Sequence, residues 1–552
     1  SYILRRIADK LREKKDVLAK WMTLENGKPL AEGVGETNGA ADIFEWNAEE
    51  TKRIFGQTIE SRFEDTRVHV YYQPVGVVAA LSPWNFPLIL AARKISTALA
   101  AGCSVIIKPD TITPGVVMEL VDICRECGVP PGAVNLLSGD PPSIASQLIQ
   151  SDIVKKISIT GSLRVGKLIL KQAADKVQRV TMELSGHSPF IVFDDADIKK
   201  AADMAIAAKF RNNGQVCISP NRFYIHESKK EEFINLFIEK TKKLKIGNGM
   251  DPDTQLGPLT TQKRLEEIEE LVEKTKQEGA KVLLGGKRPA GFNKGFYYEP
   301  TIFDDVKDDF TIMKQEPFGP LVPMLSFKSF DEVIERANDN DLGLCSYVCT
   351  NSMETAHLAS EKLETGSVAV NTGAVAVAEA PFGGIKQSGY GREGGSMAIK
   401  DYLANDLDCL DYEITDTEMG SIPMTAYDFQ EHHSKNMRYI GTAGGWAKPS
   451  TGYTFKSTAK KTPTLVAHIK SGKPLHTLSY KTKFWFYDLL FLDVLYRDNA
   501  KGYNVFETLF KNRKPQQVFK FLDEETSFAE DLGNMMGSPI IPFIKALLQR
   551  IF

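Results

Sequence analysis

Apolar residues recur at helical spacing over residues 2–55, and Gly27 and Pro29 interrupt the pattern. This stretch is predicted to be a helical lead-in. Residues 68–72 then alternate apolar and polar side chains, which is typical of a strand. The chain is therefore expected to open with helices and to continue into β structure.

Short β-branched runs alternate with amphipathic segments between residues 104 and 184. This alternation indicates βαβ units and hence an α/β fold with a parallel, doubly wound sheet. The predicted elements are strands at 104–108, 133–137 and 157–160, and helices at 114–127 and 142–150. A second α/β pattern follows over residues 186–385, which we interpret as a catalytic domain. Its predicted elements are helices at 198–211, 229–244 and 262–279, and strands at 281–284 and 321–326.

No G-x-G-x-x-G follows any strand of the first pattern, so the common dinucleotide fingerprint is missing. Thr160-Gly-Ser162 instead leads directly into a helix predicted to begin near Arg164. The free N–H groups of that helix could face a pyrophosphate. Spacing alone equally fits a plain strand-to-helix turn.

Cys217 stands among small and amide residues in the stretch 209–224, KFRNNGQVCISPNRFY. Structural cysteines usually occupy apolar runs, so this setting predicts a polar loop with an exposed, usable thiolate. Alone, the segment also fits an inert loop cysteine. Two other stretches favour reactivity, since VTMELSG ending at residue 186 carries Glu183 and SPWNFP ending at residue 87 carries Asn85. Nucleophile, carboxylate and amide donor are the parts of covalent acyl chemistry.

The three segments resemble those of the aldehyde dehydrogenase superfamily in their order and spacing. Three further motifs carry the resemblance: GSLRVG at 161–166, EPFGP at 316–320 and PFGG at 381–384. It extends over roughly residues 1–405 and implies that family's fold. The implied parts are a cofactor-binding domain at 1–184 with an oligomerisation hairpin at 56–75, a catalytic domain at 185–385, and a C-terminal oligomerisation segment at 386–410.

The resemblance implies oxidation of an aldehyde to a carboxylic acid through a cysteine thioester, with NAD or NADP and without a metal. Cys217 is the implied nucleophile, Glu183 the general base, and the Asn85 amide an oxyanion donor beside the Cys217 backbone N–H. The implied cofactor-binding residues are Trp84, Lys108, Thr111, Gly161, Ser162, Gly166, Glu316 and Phe318.

Thr111 bears on the choice between NAD and NADP. NAD-preferring members of the family commonly carry a glutamate at its place. A neutral threonine beside the cationic Lys108 should instead tolerate the 2′-phosphate of NADP. NADP is therefore expected to be accepted.

Arg93 and Arg211 resemble the arginines that succinate-semialdehyde dehydrogenases place around the distal carboxylate of their substrate. Either arginine alone also fits surface or interdomain ion pairing. The segment Ala374-Val-Ala-Val-Ala378 departs from the pattern, because such enzymes often carry a serine there. We expect succinate semialdehyde or a similar acidic semialdehyde, with a general aldehyde dehydrogenase as the alternative.

A change in composition falls near residue 410, after which aromatic residues become denser and the balance of charge becomes positive. Three motifs of residues 411–552 resemble the C-terminal part of bacterial lycopene cyclases: GSIPMT at 420–425, GTAGGWAKPSTGYTF at 441–455 and FWFYDLLFLDV at 484–494. The flavin-binding part of that family is not present. We expect a remnant without activity of its own, with a carotenoid cyclase as the alternative.

The bulk properties exclude several other classes of protein. A net charge of -3 over 552 residues argues against a nucleic-acid partner. Seven cysteines indicate a reducing compartment, and with no signal peptide the cytoplasm is expected. Cys124-x-x-Cys127 is interpreted as a helix end, not a metal or redox site. Residues 484–495 are too short to span a bilayer.

The partners expected are therefore a small-molecule aldehyde and further copies of the chain in a homodimer or homotetramer. A non-catalytic member of the family remains a third possibility beside the dehydrogenase and the cyclase. The presence of a nucleophile, a base and an amide donor argues against it.

Overall fold

The computed structural model describes residues 1–60, 67–404, 455–479, 482–497 and 502–551. Its backbone contacts divide the chain into two units, Ser1–Cys409 and Leu410–Phe552. We call the described part of the first the larger unit and residues 455–551 the helical tail. The motif at 420–425 and most of the motif at 441–455 lie outside the described residues.

The helices of the larger unit follow the predicted pattern closely. They are α1 Tyr2–Glu13, α2 Lys15–Asn26, α3 Leu30–Glu50, α4 Pro87–Ala101, α5 Pro114–Glu126, α6 Pro141–Gln150, α7 Leu163–Ala174, α8 Ile198–Phe210, α9 Lys230–Thr241, α10 Gln262–Gln277, α11 Thr311–Lys314, α12 Phe330–Asn338, α13 Met353–Lys362 and α14 Gly395–Ala398. Gly27 ends α2 with a left-handed φ of 91°, which a residue with a side chain rarely adopts.

The strands of the larger unit are more numerous than the sequence pattern indicated. They are β1 Gln57–Glu60, β2 Arg67–Val70, β3 Gln73–Pro74, β4 Val77–Leu81, β5 Ser104–Lys108, β6 Val134–Leu136, β7 Val154–Thr160, β8 Arg179–Glu183, β9 Ser188–Val192, β10 Pro220–His226, β11 Lys281–Leu284, β12 Thr301–Asp304, β13 Leu321–Phe327, β14 Leu342–Gly343, β15 Cys345–Cys349, β16 Ser367–Val370, β17 Ile385–Lys386, β18 Gly389–Tyr390 and β19 Leu403–Ala404.

The first large sheet has the order β6-β5-β4-β7-β8-β18, with only β18 antiparallel. Alternate residues of β4 point to opposite faces of this sheet. Val78 and Ala80 join the core beneath α1, α3, α4 and α5, whereas Ala79 and Leu81 join the core beneath α6 and α7. The sheet is thus covered by helices on both faces, as a parallel doubly wound sheet requires.

The second large sheet has the order β11-β12-β13-β10-β9-β15-β16, and only the β11–β12 pair is antiparallel. Phe190 and Val192 of β9 face one core, and Ile191 and Phe193 face the other. Strand β9 is buried over its whole length, so it shows no polar alternation.

Three two-stranded ladders lie beside these sheets. Strands β1 and β2 form an antiparallel hairpin, β14 pairs with β17, and β19 pairs antiparallel with β3. Residues 403–404 therefore return to the segment that follows the hairpin.

The helical tail contains α15 Phe455–Lys470, α16 Lys483–Arg497, α17 Gly502–Asn512, α18 Pro515–Leu522, α19 Phe528–Met536 and α20 Ile540–Ile551. Ser527 and Glu530 form a capping box at the start of α19. None of the helices in the described part of the chain has both the length and the apolarity needed to cross a membrane.

Candidate active site

A crevice opens where the first sheet reverses its strand order. Strands β5 and β6 lie on one side of β4, and β7 and β8 lie on the other. Ligands of open α/β sheets bind at the carboxyl ends of the strands at such a point. Trp84 and Asn85 follow β4, and Gly161 and Ser162 follow β7, so the topology brings these four residues to the same edge.

Cys217 lies in the connection between α8 and β10. The backbone takes positive φ values of 45° at Asn212 and 54° at Asn213, then turns towards the second sheet. A Cβ at Gly186 would lie 2.2 Å from the Cys217 carbonyl oxygen, so only glycine allows this close packing. The connection is thereby held against the end of the segment that carries Glu183.

The prediction of an exposed polar loop is wrong for its amide and hydroxyl side chains, whereas Cys217 itself is partly exposed. The amide and hydroxyl side chains of Gln215, Ser219 and Asn221 are fully buried, and Pro220–Tyr224 belongs to strand β10. Gln215 faces inward where buried backbone groups need partners: its Nε2 donates to the Asn212 carbonyl at 3.1 Å, and its Oε1 accepts from the Thr260 N–H at 3.0 Å. Burial and then the Glu316 and Glu183 carboxylates raise the pKa of the Cys217 thiol to about 12.

Glu183 ends β8 and is 2 % exposed. Among the described residues, neither of its carboxylate oxygens has a hydrogen-bond partner. Burial and then the Glu393 carboxylate raise its pKa well above the usual range, against the opposing effect of Lys94 and Arg93. A buried carboxylate kept free of partners and with a raised pKa has the properties of a general base.

The sequence analysis missed two charged residues near this base. The Lys94 ammonium group forms an ion pair with Glu393, and it donates to Thr160 Oγ1 at 2.8 Å and Ser158 Oγ at 3.3 Å. Both members of the pair are buried. Nothing in the sequence marks Glu393, which lies far from Lys94 along the chain, as its partner.

The Asn85 amide is held beside the cysteine loop. Its Nδ2 donates to the Gln215 carbonyl at 3.1 Å, and the side chain is almost fully buried. An amide group has two N–H bonds, so one remains for a substrate oxygen. Asn85 and Cys217 are thus attached to the same loop.

The predicted cofactor residues fall into three groups. Gly161, Ser162 and Gly166 lie at the start of α7, where the Gly161 N–H donates to the Glu183 carbonyl at 3.0 Å. A Cβ at Gly166 would lie 2.4 Å from Leu184 Cδ2, so this glycine lets α7 pack closely on the segment after β8.

The second group surrounds the cysteine side of the crevice. Trp84 and Phe318 make an edge-to-face contact with ring centroids 5.6 Å apart. The Gly186 N–H donates to Glu316 Oε1 at 3.2 Å, and burial raises the pKa of Glu316 to about 7. The third group lies at the end of β5, where Lys108 is buried and Thr111 is exposed.

The two predicted substrate arginines differ in environment. Arg93 is 3 % exposed and lies 5.1 Å from the centre of the Phe382 ring. Arg211 is exposed to solvent and lies 4.6 Å from the centre of the Phe86 ring. The alanine-rich segment contacts Arg93 through its backbone, because Nη2 donates to the Ala376 carbonyl at 3.5 Å.

The chain that carries Cys217, Glu183 and Asn85 matches a known protein family. The model of the aldehyde dehydrogenase family matches residues 1–406. The chain belongs to the aldehyde dehydrogenase family. The assignment as an NAD(P)-dependent oxidoreductase acting on aldehydes is thereby confirmed. The lycopene cyclase protein model matches residues 395–548, which confirms the second resemblance.

Curated relatives of this aldehyde dehydrogenase include two bacterial enzymes. Glutarate-semialdehyde dehydrogenase of Pseudomonas putida is 43 % identical over 400 residues, which cover 72 % of this chain and 82 % of the relative. The NADP(+) succinate-semialdehyde dehydrogenase of Escherichia coli is 42 % identical over 401 residues, which cover 73 % and 83 %.

Solved structures agree with the fold. The succinate-semialdehyde dehydrogenase of Burkholderia pseudomallei has a TM-score of 0.72 at 42 % identity, covering 73 % of this chain and 83 % of that one. An NADP-dependent enzyme of E. coli gives the same TM-score, identity and coverage. The predicted fold class is confirmed.

Proposed function

We propose that this aldehyde dehydrogenase oxidises a semialdehyde with a distal carboxylate, succinate semialdehyde first, and that Cys217, Glu183 and Asn85 carry the reaction. The observation that supports the substrate class best is the state of Arg93. Its Nη1 is buried and has no hydrogen-bond partner among the described residues. A buried guanidinium group with an unused donor is costly unless an anion completes it, and a substrate carboxylate would do so.

The first step joins the Cys217 sulfur to the aldehyde carbon. The Cys217 thiol gives up its proton to solvent, and the carbonyl oxygen becomes an oxyanion. In this proposal the second N–H of Asn85 and the Cys217 backbone N–H donate to that oxyanion. A donor of this kind typically lowers the barrier by about 3 kcal/mol.

A bound NAD or NADP would supply the hydride acceptor for the former aldehyde carbon, which leaves a thioester on Cys217. The start of α7 fits a pyrophosphate, because the backbone N–H groups of its first turn lie beside exposed Ser162. Glu316, Phe318 and Trp84 would hold the nicotinamide end.

Glu183 then takes a proton from water, whose oxygen attacks the thioester carbon. The C–S bond breaks, the carboxylic acid is released, and the Cys217 thiolate takes the proton back from Glu183, which restores both groups. The raised pKa of Glu183 suits it to accept this proton.

The support from relatives is direct, since those of P. putida and E. coli are named for glutarate and succinate semialdehyde. We further propose that the enzyme works in the cytoplasm as a homo-oligomer. The pairing of β19 with β3 supports the second point, because it joins the two segments that the family resemblance assigns to oligomer contacts. Sedimentation analysis tests that point.

Two substrates of equal length test the carboxylate site. Arg93→Gln and Arg211→Ala should each lower kcat/KM for succinate semialdehyde about ten- to hundred-fold, because one charge-assisted contact is lost. Butanal, which has no carboxylate, should be affected less than threefold. The exposed Arg125→Ala serves as the control. Equal losses for both substrates would show that the arginines are structural and would favour a general aldehyde dehydrogenase.

A further inference from the structure

A fully buried ion pair contacts the backbone of Asn85 and the start of α4. Lys28 Nζ and Glu36 Oε2 are 2.5 Å apart, and neither side chain is exposed. Lys28 belongs to the short link between α2 and α3, and Glu36 belongs to α3. Burying two charges is expensive, so such a pair is retained without loss of stability only where further hydrogen bonds complete it.

Those further hydrogen bonds all go to one segment. Lys28 Nζ donates to the Asn85 carbonyl oxygen at 2.8 Å, and it lies 4.0 Å from the centre of the Phe86 ring. Glu36 Oε1 accepts from the N–H groups of Leu88 at 2.9 Å and Ile89 at 3.1 Å. The two charges therefore hold residues 85–89 from both ends.

The carboxylate of this pair also stabilises the first turn of α4. Backbone N–H groups at a helix start have no partner within the helix, and a carboxylate there is favourable. The same helix carries Arg93 and Lys94 towards Glu183. The position of Glu36 therefore affects where Arg93 and Lys94 lie relative to Glu183.

The Asn85 carbonyl oxygen has a second donor, Asn212 Nδ2, at 3.0 Å. Asn212 belongs to the cysteine loop, as does Gln215, whose carbonyl accepts from the Asn85 amide. Lys28 is therefore the contact that joins the backbone of Asn85 to the N-terminal helices, independent of the cysteine loop.

We infer that the Lys28–Glu36 ion pair is a positioning device for the oxyanion site, in which Lys28 fixes the Asn85 backbone so that the amide points at the reacting oxygen. Lys28 and Glu36 do not touch the substrate in this account. The inference rests on the proposed role of Asn85.

A double-mutant cycle with Asn85 tests it. Lys28→Met keeps the length of the side chain and removes the donor, and it should lower kcat for succinate semialdehyde about ten- to hundred-fold with KM for NADP unchanged. Asn85→Ala should lower kcat by a similar or larger factor. The double variant should be no slower than Asn85→Ala, because Lys28 acts only through that residue.

A charge-balanced variant separates positioning from stability. Lys28→Met alone leaves a buried, unpaired carboxylate and should lower the melting temperature. The double variant Lys28→Met/Glu36→Gln removes both charges, and the amide oxygen of the new side chain can still accept from the α4 backbone. It should therefore recover much of the melting temperature. Its kcat should stay low. Recovery of kcat together with the melting temperature would overturn the inference.

Lys156→Met is the matched control. Lys156 is another buried ammonium group, 4.7 Å from the centre of the Tyr402 ring and 2.5 Å from Thr181 Oγ1, and these contacts lie away from residues 85–89. The fold reduction in kcat caused by Lys156→Met should multiply with the reduction caused by Asn85→Ala when the two changes are combined. If the reductions in kcat caused by Lys28→Met and Asn85→Ala also multiply in the double variant, the inference fails. If Asn85→Ala alone leaves kcat unchanged, the proposed role of Asn85 fails first.

Discussion

The larger unit and the helical tail bury their apolar residues to very different extents. The larger unit has four apolar clusters, one on each face of its two large sheets. In the tail, the corresponding cluster contains three buried residues, Leu490, Val494 and Ala546. Phe528 and Ile541 of the tail are each 69 % exposed. The larger unit therefore has a completed apolar core. Within the described residues, the helical tail leaves part of its apolar surface uncovered.

The interior of the two regions differs as well. The tail contains a cavity of about 300 Å³ lined mainly by aromatic and aliphatic side chains, among them Phe491, Phe506 and Phe543. The larger unit holds buried ion pairs, among them Lys94–Glu393 and Lys28–Glu36. A complete core can hold such charges in place, and this is what a catalytic site requires.

The largest effect should come from removing the nucleophile of the larger unit. Cys217→Ala should lower aldehyde oxidation at least about a thousand-fold, because no thioester can form. Steady-state assays at 340 nm measure this, and cofactor binding by fluorescence should stay nearly intact. Cys127→Ala, at the end of α5, is the control. Near-normal turnover by Cys217→Ala would refute the assignment of the site.

The Cys217 thiol should also respond strongly to pH. Because the pKa of Cys217 is raised to about 12, its thiolate fraction without cofactor should rise about tenfold for each pH unit between 7 and 9. Iodoacetamide alkylation of the peptide that contains Cys217, followed by mass spectrometry, measures the rate. A rate that levels off below pH 8 would contradict the buried environment.

A smaller change is expected at the far end of the cofactor site. Thr111→Glu should lower kcat/KM for NADP about tenfold relative to NAD, since a carboxylate repels a 2′-phosphate and accepts bonds from ribose hydroxyls. Thr111→Gln, of similar size and neutral, is the control. If the parent enzyme already rejects NADP, the account of Thr111 is wrong.

The smallest effect on activity should follow removal of the tail. Deleting residues 411–552 should change kcat/KM less than about twofold, because the proposed site residues all precede the tail. The truncated protein should aggregate less, as measured by size-exclusion chromatography, since exposed apolar side chains are removed. The cut must follow Ala404, whose strand pairs with β3. Lower solubility or lost activity would show that the tail has become integral to the larger unit.

Much of the larger unit could be predicted from residue patterns. Helices α1 to α3 and the strands at 104–108 and 157–160 follow from periodicity, because each has one face buried or a clear end signal. Strands β9, β10 and β15 were not predicted. They are buried on both faces and therefore lack an alternation of apolar and polar residues. Strand β10 also begins with Pro220 and Asn221, which are uncommon in strands.

The site was predictable where chemistry lies within one short segment and not where it depends on distant partners. Motifs located Cys217, Glu183 and Asn85. The partners of Lys28 and Lys94 could not be predicted, because each ion pair forms only when helices and loops far apart in sequence pack together. The burial of the polar residues around Cys217 was not predicted because polar side chains suggested solvent, whereas these form hydrogen bonds to other buried groups.

The most direct test of the central claim is to look for the covalent intermediate itself. Glu183→Gln keeps the shape of the base but cannot take a proton from water, so the thioester should accumulate. Intact-protein and peptide mass spectrometry after mixing this variant with succinate semialdehyde and NADP should show a succinyl group on Cys217, formed in one rapid burst of NADPH. An unmodified Cys217 after that burst, or an acyl group on another residue, would contradict the account.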